Sequence, residues 1–208
     1  MNKTIVYLIR HSEQLKIKGK KYIAENEQIN NEKITLSVLG EKKAQKLADL
    51  DELSNINVLW SSNYVRAIST SKYIADNNNI EINIDDKLNE RKLGDLSLLK
   101  ELGKNKKHSF TEEQLLDKNL KNVSGESRVE VNKRMTDALT KILTENKGKK
   151  IAIVSHGAAL KFLLMNWCKL NEEIKLVYKD EIVLDMKSPC VVKLEFKGNN
   201  LENLSVIL

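Results

Sequence analysis

Four clusters of chemically capable side chains stand at the ends of short apolar runs. Arg10-His11 closes Thr4-Ile5-Val6-Tyr7-Leu8-Ile9, and Ser155-His156-Gly157 closes Lys150-Ile151-Ala152-Ile153-Val154. Ser61, Ser62 and Arg66 follow Ile56-Asn57-Val58-Leu59-Trp60, and Glu90 follows Ile80-Glu81-Ile82-Asn83-Ile84. Of the three histidines in the chain, two thus occupy equivalent places at strand ends. Arginine offers a planar, permanently charged fork that matches phosphoryl oxygens. A neutral imidazole is a competent nucleophile toward phosphorus, and a carboxyl group can hand a proton to a leaving alcohol. Two arginines and two histidines on one rim would therefore cage a phosphoryl group. Helices opening near Ser62 and Gly157 would add their N-terminal amides. Taken singly, each cluster has an ordinary reading as well. Arg10-His11 fits a surface pair, Glu90 sits among Asp85, Asp86 and Arg91 as in a solvated acidic turn, and Arg66 could cap or salt-bridge its own helix.

The elements that must position these groups alternate between strand and helix. A strand is expected at residues 4–10, followed by a polar loop at 12–33. A helix is expected from Leu36 to Ala48, with Thr35 or Ser37 as N-cap and Leu36, Leu39, Lys43 and Leu47 on one face. A strand at 56–60 leads to a helix capped by Ser61-Ser62 and running to about residue 76; Asn77-Asn78-Asn79 then turns into a strand at 80–84. Residues 91–123 lose this rhythm and resemble an insertion or lid; His108 there reads as an exposed residue. A long helix from Ser127 to about Glu145, a strand at 150–155 and a helix at 157–169 come next. Two β-rich runs, 181–187 and 190–196, and a last run at 204–208 look antiparallel. The pattern predicts one α/β domain spanning residues 1–208. It is a three-layer sandwich with a mostly parallel central sheet, helices on both faces and a small lid-like insertion at 91–123.

Composition narrows the partners. With 41% hydrophobic and 31% charged residues the chain has the balance of a water-soluble globular protein, and no apolar run approaches the roughly 18–20 residues of a membrane span. Met1-Asn2-Lys3 leads straight into the first strand, so a cytoplasmic protein without a signal peptide is expected. The net charge of +6 favours anions in general, but the lysines are interspersed with acids and form no dense basic tract for nucleic acid. Lys92, Lys100, Lys104, Lys106 and Lys107 form either a basic rim for an anionic substrate or a solvated charge run. Cys168 and Cys190 lack metal-binding spacing and read as buried free thiols; Trp60 and Trp167 read as core or core-edge residues.

The ordered motifs are similar to those of the histidine phosphatase superfamily, the phosphoglycerate mutase-like proteins. Arg10-His11-Ser12-Glu13-Gln14 resembles R-H-G-E-[ST], and Leu36-Ser37-Val38-Leu39-Gly40 through Ala44 resembles L-[TS]-x-x-G-x-x-Q-A. Ser61-Ser62-Asn63 through Arg66-Ala67 and Thr70 resembles S-S-P-x-x-R-A-x-x-T. Leu88-Asn89-Glu90 with Gly94, Gly125-Glu126-Ser127 and Val154-Ser155-His156-Gly157 complete the series. The resemblance implies a metal-independent phosphomonoester phosphatase without cofactor, acting on a small phosphorylated metabolite, with neither nucleic acid nor membrane as partner and with room for a homodimer. His11 would be the nucleophile, Glu90 the general acid and base, and Arg10, Arg66 and His156 the phosphoryl ligands, His156 counting also as catalytic. A phosphoglycerate mutase-type transfer and a non-catalytic phospholigand-binding module are the alternatives. The absence of arginine from 95–123, where mutases hold a substrate carboxylate, favours the phosphatase. Four positions depart from the pattern: Ser12 for glycine, Gln14 for Ser or Thr, Ile17 for asparagine and Asn63 for proline. Ser12 introduces strain if its backbone must be left-handed, and adds a hydrogen bond if not.

Overall fold

The computed structural model describes residues 3–16, 27–95 and 109–208. Four strands run parallel: β1 (Thr4–Arg10), β2 (Val58–Ser61), β3 (Ile82–Ile84) and β4 (Lys150–Ser155). After three short strands, β5 (Lys169–Leu170), β6 (Leu176–Tyr178) and β7 (Ile182–Leu184), come β8 (Cys190–Lys197) and β9 (Asn200–Val206). β8 joins β1 antiparallel and β9 joins β8, giving a six-stranded sheet of order β3-β2-β4-β1-β8-β9. β5, β6 and β7 form a separate antiparallel sheet.

Six helices flank these strands among the described residues: α1 (Glu27–Lys33), α2 (Val38–Ala48), α3 (Val65–Asn78), α4 (Phe110–Leu116), α5 (Arg128–Glu145) and α6 (Gly157–Leu164). Alternate residues of β1 show why the sheet is covered on both faces. Val6 and Leu8 pack with Val131, Met135 and Leu139 of α5 and Leu160 and Phe162 of α6. Tyr7 and Ile9 pack with Leu47 and Ala48 of α2 and Ala67 and Ile74 of α3. A central strand buried on both sides has no polar face, which is why β1 and β4 read as unbroken apolar runs. The expected three layers and mostly parallel sheet are present. Trp60 and Trp167 lie at the core edge, and both cysteines are buried and free, their thiols pushed up to about 11 by burial. No helix among the described residues is long and apolar enough to cross a membrane.

Local expectations shift in instructive places. The polar segment expected as loop contains α1. The helix expected from Leu36 begins at Val38, capped by Ser37, whose hydroxyl accepts from the Gly40 amide at 2.9 Å. Its buried face is Gly40, Ala44, Leu47 and Ala48, whereas Leu39 is half exposed. The cause is a close approach: a Cβ at Gly40 would lie 2.0 Å from the Glu13 carbonyl oxygen. Only a small-residue face lets α2 settle on the backbone just past β1. Ser61-Ser62 does not cap α3, which starts after Tyr64 without a side-chain cap and runs to Asn78. Asn79 ends it in the left-handed conformation, a position asparagine tolerates. α6 stops at Leu164 rather than 169, and β6 was invisible in the pattern. α5 agrees with expectation, opened by a capping box between Ser127 and Glu130 that contributes about 1 kcal/mol. Of the expected insertion at 91–123, residues 96–108, with His108 and four of the rim lysines, lie outside the described residues, as does Ile17.

Candidate active site

Register brings the end of β1 beside the end of β4. Arg10 pairs with Ser155 and Ser61 with Val154, the His11 N–H donates to the Ser155 carbonyl at 2.9 Å, and the Ser62 N–H donates to the Val154 carbonyl at 3.0 Å. The residues one step beyond these pairs therefore meet. The His11 and His156 rings stand 5.0 Å apart, and the Tyr64 ring meets His156 edge-on at 4.8 Å. This is the carboxyl edge of a parallel sheet, where open α/β folds place their ligands.

His11 is buried and its hydrogen positions follow from its partners. The Arg66 Nε–H, which can only donate, reaches His11 Nε2 at 3.1 Å. Nε2 therefore carries a lone pair, and Nδ1 carries the hydrogen donated to the Ser12 carbonyl at 2.7 Å. Burial first, then the positive fields of Arg66 and Arg10, hold its pKa down at about 3, against the partial opposition of the Ser12 bond. At neutral pH the ring is thus an uncharged imidazole with its lone pair fixed in direction. The Ser188 hydroxyl donates to the His11 carbonyl at 2.6 Å and holds the backbone beneath it.

Ser12 falls on the hydrogen-bond side of its two readings. It is not among the positive-φ residues, so its Cβ brings no left-handed strain. Its hydroxyl donates to the Gly40 carbonyl at 2.7 Å and its N–H donates to Thr70 Oγ1 at 2.9 Å. The serine ties the carbonyl that orients His11 to both α2 and α3.

The depressed basicity of His11 has a consequence for stability. An unfolded His11 titrates near 6.5 and the folded one near 3, so between these values the unfolded chain binds more protons. The stabilisation is full above about pH 6.5 and is lost as the pH falls toward about 3. Buried His156, also lowered, acts with the same sign. Urea midpoints are expected to drop across this window, and His11→Asn, which cannot titrate there, is expected to drop less steeply.

Arg66 is buried, and its guanidinium lies 5.1 Å from the Tyr64 ring centroid and donates to the Asn31 carbonyl of α1. Burial pulls its basicity down while the Glu90 charge opposes the change. Arg10 donates to the Met186 carbonyl, and its Nε is buried with no partner among the described residues. A Cβ at Gly157 would come within 3.1 Å of the Arg10 guanidinium, so glycine lets this fork lie across the start of α6. His156 is fully buried, its Nε2 lies 2.8 Å from Ser62 Oγ, and its basicity is held well below the ordinary value by burial, His11, Arg66, Arg10 and Arg134.

Glu90 reaches the same edge from the segment after β3. Its carboxylate accepts from the amides of Ala158 at 3.2 Å, Ala159 at 3.0 Å and Arg91 at 2.9 Å, so it caps α6. Arg134 of α5 secures this segment. It donates to the carbonyls of Lys87 at 2.8 Å, Asn89 at 2.9 Å and Glu90 at 3.3 Å, and to both oxygens of Glu126 at 2.8 and 2.9 Å. The Glu126 of the Gly125-Glu126-Ser127 motif thus acts on Glu90 through an arginine that sequence reading passed over.

All five singled-out residues, Arg10, His11, Arg66, Glu90 and His156, come to one sheet edge. Ser62, which the sequence singled out with Ser61 and Arg66, joins them, and Asn89, Ser188 and Arg134 do so unforeseen. Of these three only Asn89 carried a signal, standing between Leu88 and Glu90 of a motif. Arg91 is withdrawn from the site, bonded to Gln114 and Thr111 and stacked on Phe110.

Fold and site together define an α/β protein built to handle a phosphoryl group. The pattern of the histidine phosphatase superfamily (branch 1) matches residues 6–205, and the chain belongs to that superfamily, among phosphatases and phosphotransferases. It is 30% identical over 138 residues to phosphoglycerate mutase-like protein 4 of Arabidopsis thaliana, a match spanning 62% of this chain and 59% of that protein, less than two thirds of its length. Solved structures that share the fold include the following two. Mycobacterial glucosyl-3-phosphoglycerate phosphatase superposes with a TM-score of 0.69 at 16% identity, over 99% of this chain and 97% of that one. Phosphoserine phosphatase of Entamoeba histolytica, in complex with 3-phosphoglyceric acid, superposes with a TM-score of 0.65 at 21% identity, over 97% and 96%.

Proposed function

We propose that this chain is a cytoplasmic, single-domain phosphatase that hydrolyses a small phosphomonoester through a phosphohistidine on His11. The observation that carries the reading is the neutral His11 imidazole, its Nδ1–H held on the Ser12 carbonyl and its Nε2 lone pair under the Arg66 guanidinium. As the phosphoryl group enters, the Arg66 Nε–H leaves Nε2 for a phosphoryl oxygen, and the freed lone pair attacks phosphorus while Arg10, Arg66 and His156 take up the charge on the phosphoryl oxygens. The bond from phosphorus to the ester oxygen breaks, and Glu90, which enters this step as the carboxylic acid, gives that oxygen its proton. Glu90, now a carboxylate, then takes a proton from water, whose oxygen attacks the phosphohistidine and frees phosphate and His11. Each step uses a side chain already at the sheet edge. The related proteins support a small phosphorylated metabolite as substrate, their names including phosphoserine and glucosyl-3-phosphoglycerate phosphatases. Hydrolysis is favoured over mutase-type transfer because Arg91, the arginine nearest Glu90 in sequence, is committed to Gln114 and Thr111, and 95–123 offers no other arginine.

Purified protein given an aryl phosphate in the presence of a metal chelator is expected to release phosphate. Quenching turnover in alkali is expected to trap an acid-labile phosphoryl group on the peptide bearing His11. Turnover with no trapped adduct, under conditions where dephosphorylation limits the rate, overturns the covalent route. Faster isomerisation of a phosphoglycerate than phosphate release overturns the choice of hydrolysis.

A further inference from the structure

The hydrogen atoms around His156 are determined by donors that have no alternative. The backbone N–H of Asn63 points at the Asn89 side chain at 3.1 Å, so the atom it meets is the amide oxygen, Oδ1. The Ser62 hydroxyl lies 2.8 Å from the same oxygen and spends its only hydrogen there. Ser62 Oγ can then only accept, from the Tyr64 N–H at 3.2 Å and from His156 Nε2 at 2.8 Å. His156 must therefore carry hydrogen on Nε2. Its Nδ1 is buried and has no partner among the described residues, so in the neutral ring it is a bare lone pair, on a ring whose centroid lies 5.0 Å from that of His11. The family pattern places proline where this chain has Asn63, and proline has no N–H with which to fix Asn89.

A bare lone pair is the wrong partner for a phosphoryl oxygen, since acceptor would face acceptor. We propose that Asn89 and Ser62 are positioning residues that lock His156 in its Nε2–H form, so that a phosphoryl group binds this site together with one proton held between His156 Nδ1 and the facing oxygen. This deepens the phosphatase reading and rests on it. The proton arrives either from solvent, making His156 an imidazolium beside a dianion, or on the ligand as its monoanion. No bond other than that to hydrogen changes.

The charges around the ring make the coupling strong in one direction. Arg10 faces it from β1 and His11 from the residue after it, Arg66 and Tyr64 from α3 and the residue before it, and Arg134 from α5, while the Glu90 carboxylate lies on the Ala158 and Ala159 amides. The cations and burial keep the free ring neutral. An anion lodged among the same arginines cancels their field and favours the imidazolium. Binding and protonation are then linked.

Calorimetric titration with tungstate and with inorganic phosphate, at a pH where both are dianions and in buffers of different ionisation enthalpy, counts the protons taken up. About one proton per site is expected, with affinity weakening roughly tenfold per pH unit above that pH. Tungstate arms that show this uptake put the proton on His156. Phosphate binding with one proton while tungstate fails to bind puts it on the ligand; both support the lock. Ser62→Ala frees the ring to place hydrogen on Nδ1, and uptake should fall well below that of the native protein; Ser62→Thr, which keeps the hydroxyl, should retain it. In the native protein without ligand, nitrogen NMR should report hydrogen on His156 Nε2, a result independent of any variant's folding. Binding of either anion without proton uptake, or an Nδ1–H ring in the free protein, overturns the lock while leaving the phosphatase reading intact. Failure of both anions to bind overturns the phosphate site itself.

Discussion

Replacing His11 by asparagine is expected to lower the turnover of an aryl phosphate by about four orders of magnitude or more, and to leave a folded protein that still binds phosphate. The shape of the site says why. The asparagine amide nitrogen can occupy the place of Nδ1 and donate to the Ser12 carbonyl, so the turn at the end of β1 keeps the bond that now measures 2.7 Å. Nothing in asparagine reaches where Nε2 stood, so no lone pair faces phosphorus. Arg66 loses one acceptor but keeps the Asn31 carbonyl, and Arg10 keeps that of Met186. With both guanidinium groups and His156 in place, phosphate should bind within a few-fold of its native affinity. Kinetics and phosphate titration on the same preparation separate these effects. Retained turnover removes His11 from the nucleophile's role, whereas lost turnover together with lost phosphate binding means that the site collapsed.

How far the sequence revealed the site follows from what each part depends on. β1 and β4 were legible because strands covered on both faces must be continuously apolar, and the groups just past their ends were legible with them. α1 was not legible, since Glu27–Lys33 has no apolar stripe; its visible tasks are polar, the Asn31 carbonyl on Arg66 and the Gln28 amide on the Tyr64 hydroxyl at 2.6 Å. α2 was found with the wrong face because its packing against Glu13 selects small residues, and a pattern drawn from large apolar ones cannot report that. In the small sheet β7 lies within the β-rich run at 181–187, whereas β5 and β6 are too short for alternation to register. Supporting contacts such as Arg134 on the Glu90 segment, or Ser188 on His11, join residues far apart in the chain. Their side chains have no local periodicity to betray them.

Glu90 provides the sharper test of chemistry because the proposed reaction adds a second job to its place on α6. As the cap of α6 it accepts from the Ala158 and Ala159 amides; as proton donor it must serve the leaving oxygen. Glu90→Gln keeps one carbonyl oxygen for an amide and exchanges the other for an NH2 group, costing the helix start about 1 kcal/mol. An alkyl phosphate, whose leaving alkoxide cannot depart without a proton, should then lose a factor of about 10²–10⁴ in kcat/KM. A nitrophenyl phosphate departs unaided, so formation of the phosphohistidine should be slowed far less. The next step still needs Glu90 to deprotonate water, and the covalent adduct should accumulate. The expected signature is a burst of nitrophenol equal to the enzyme present, followed by slow turnover. A role confined to capping predicts something else. Glu90→Ala and Glu90→Gln would then injure alkyl and aryl substrates alike, in proportion to the loss of α6, and no burst would appear. Equal losses for both leaving groups would assign the acid's role to another residue, and a widening gap as the leaving group becomes more basic assigns it to Glu90.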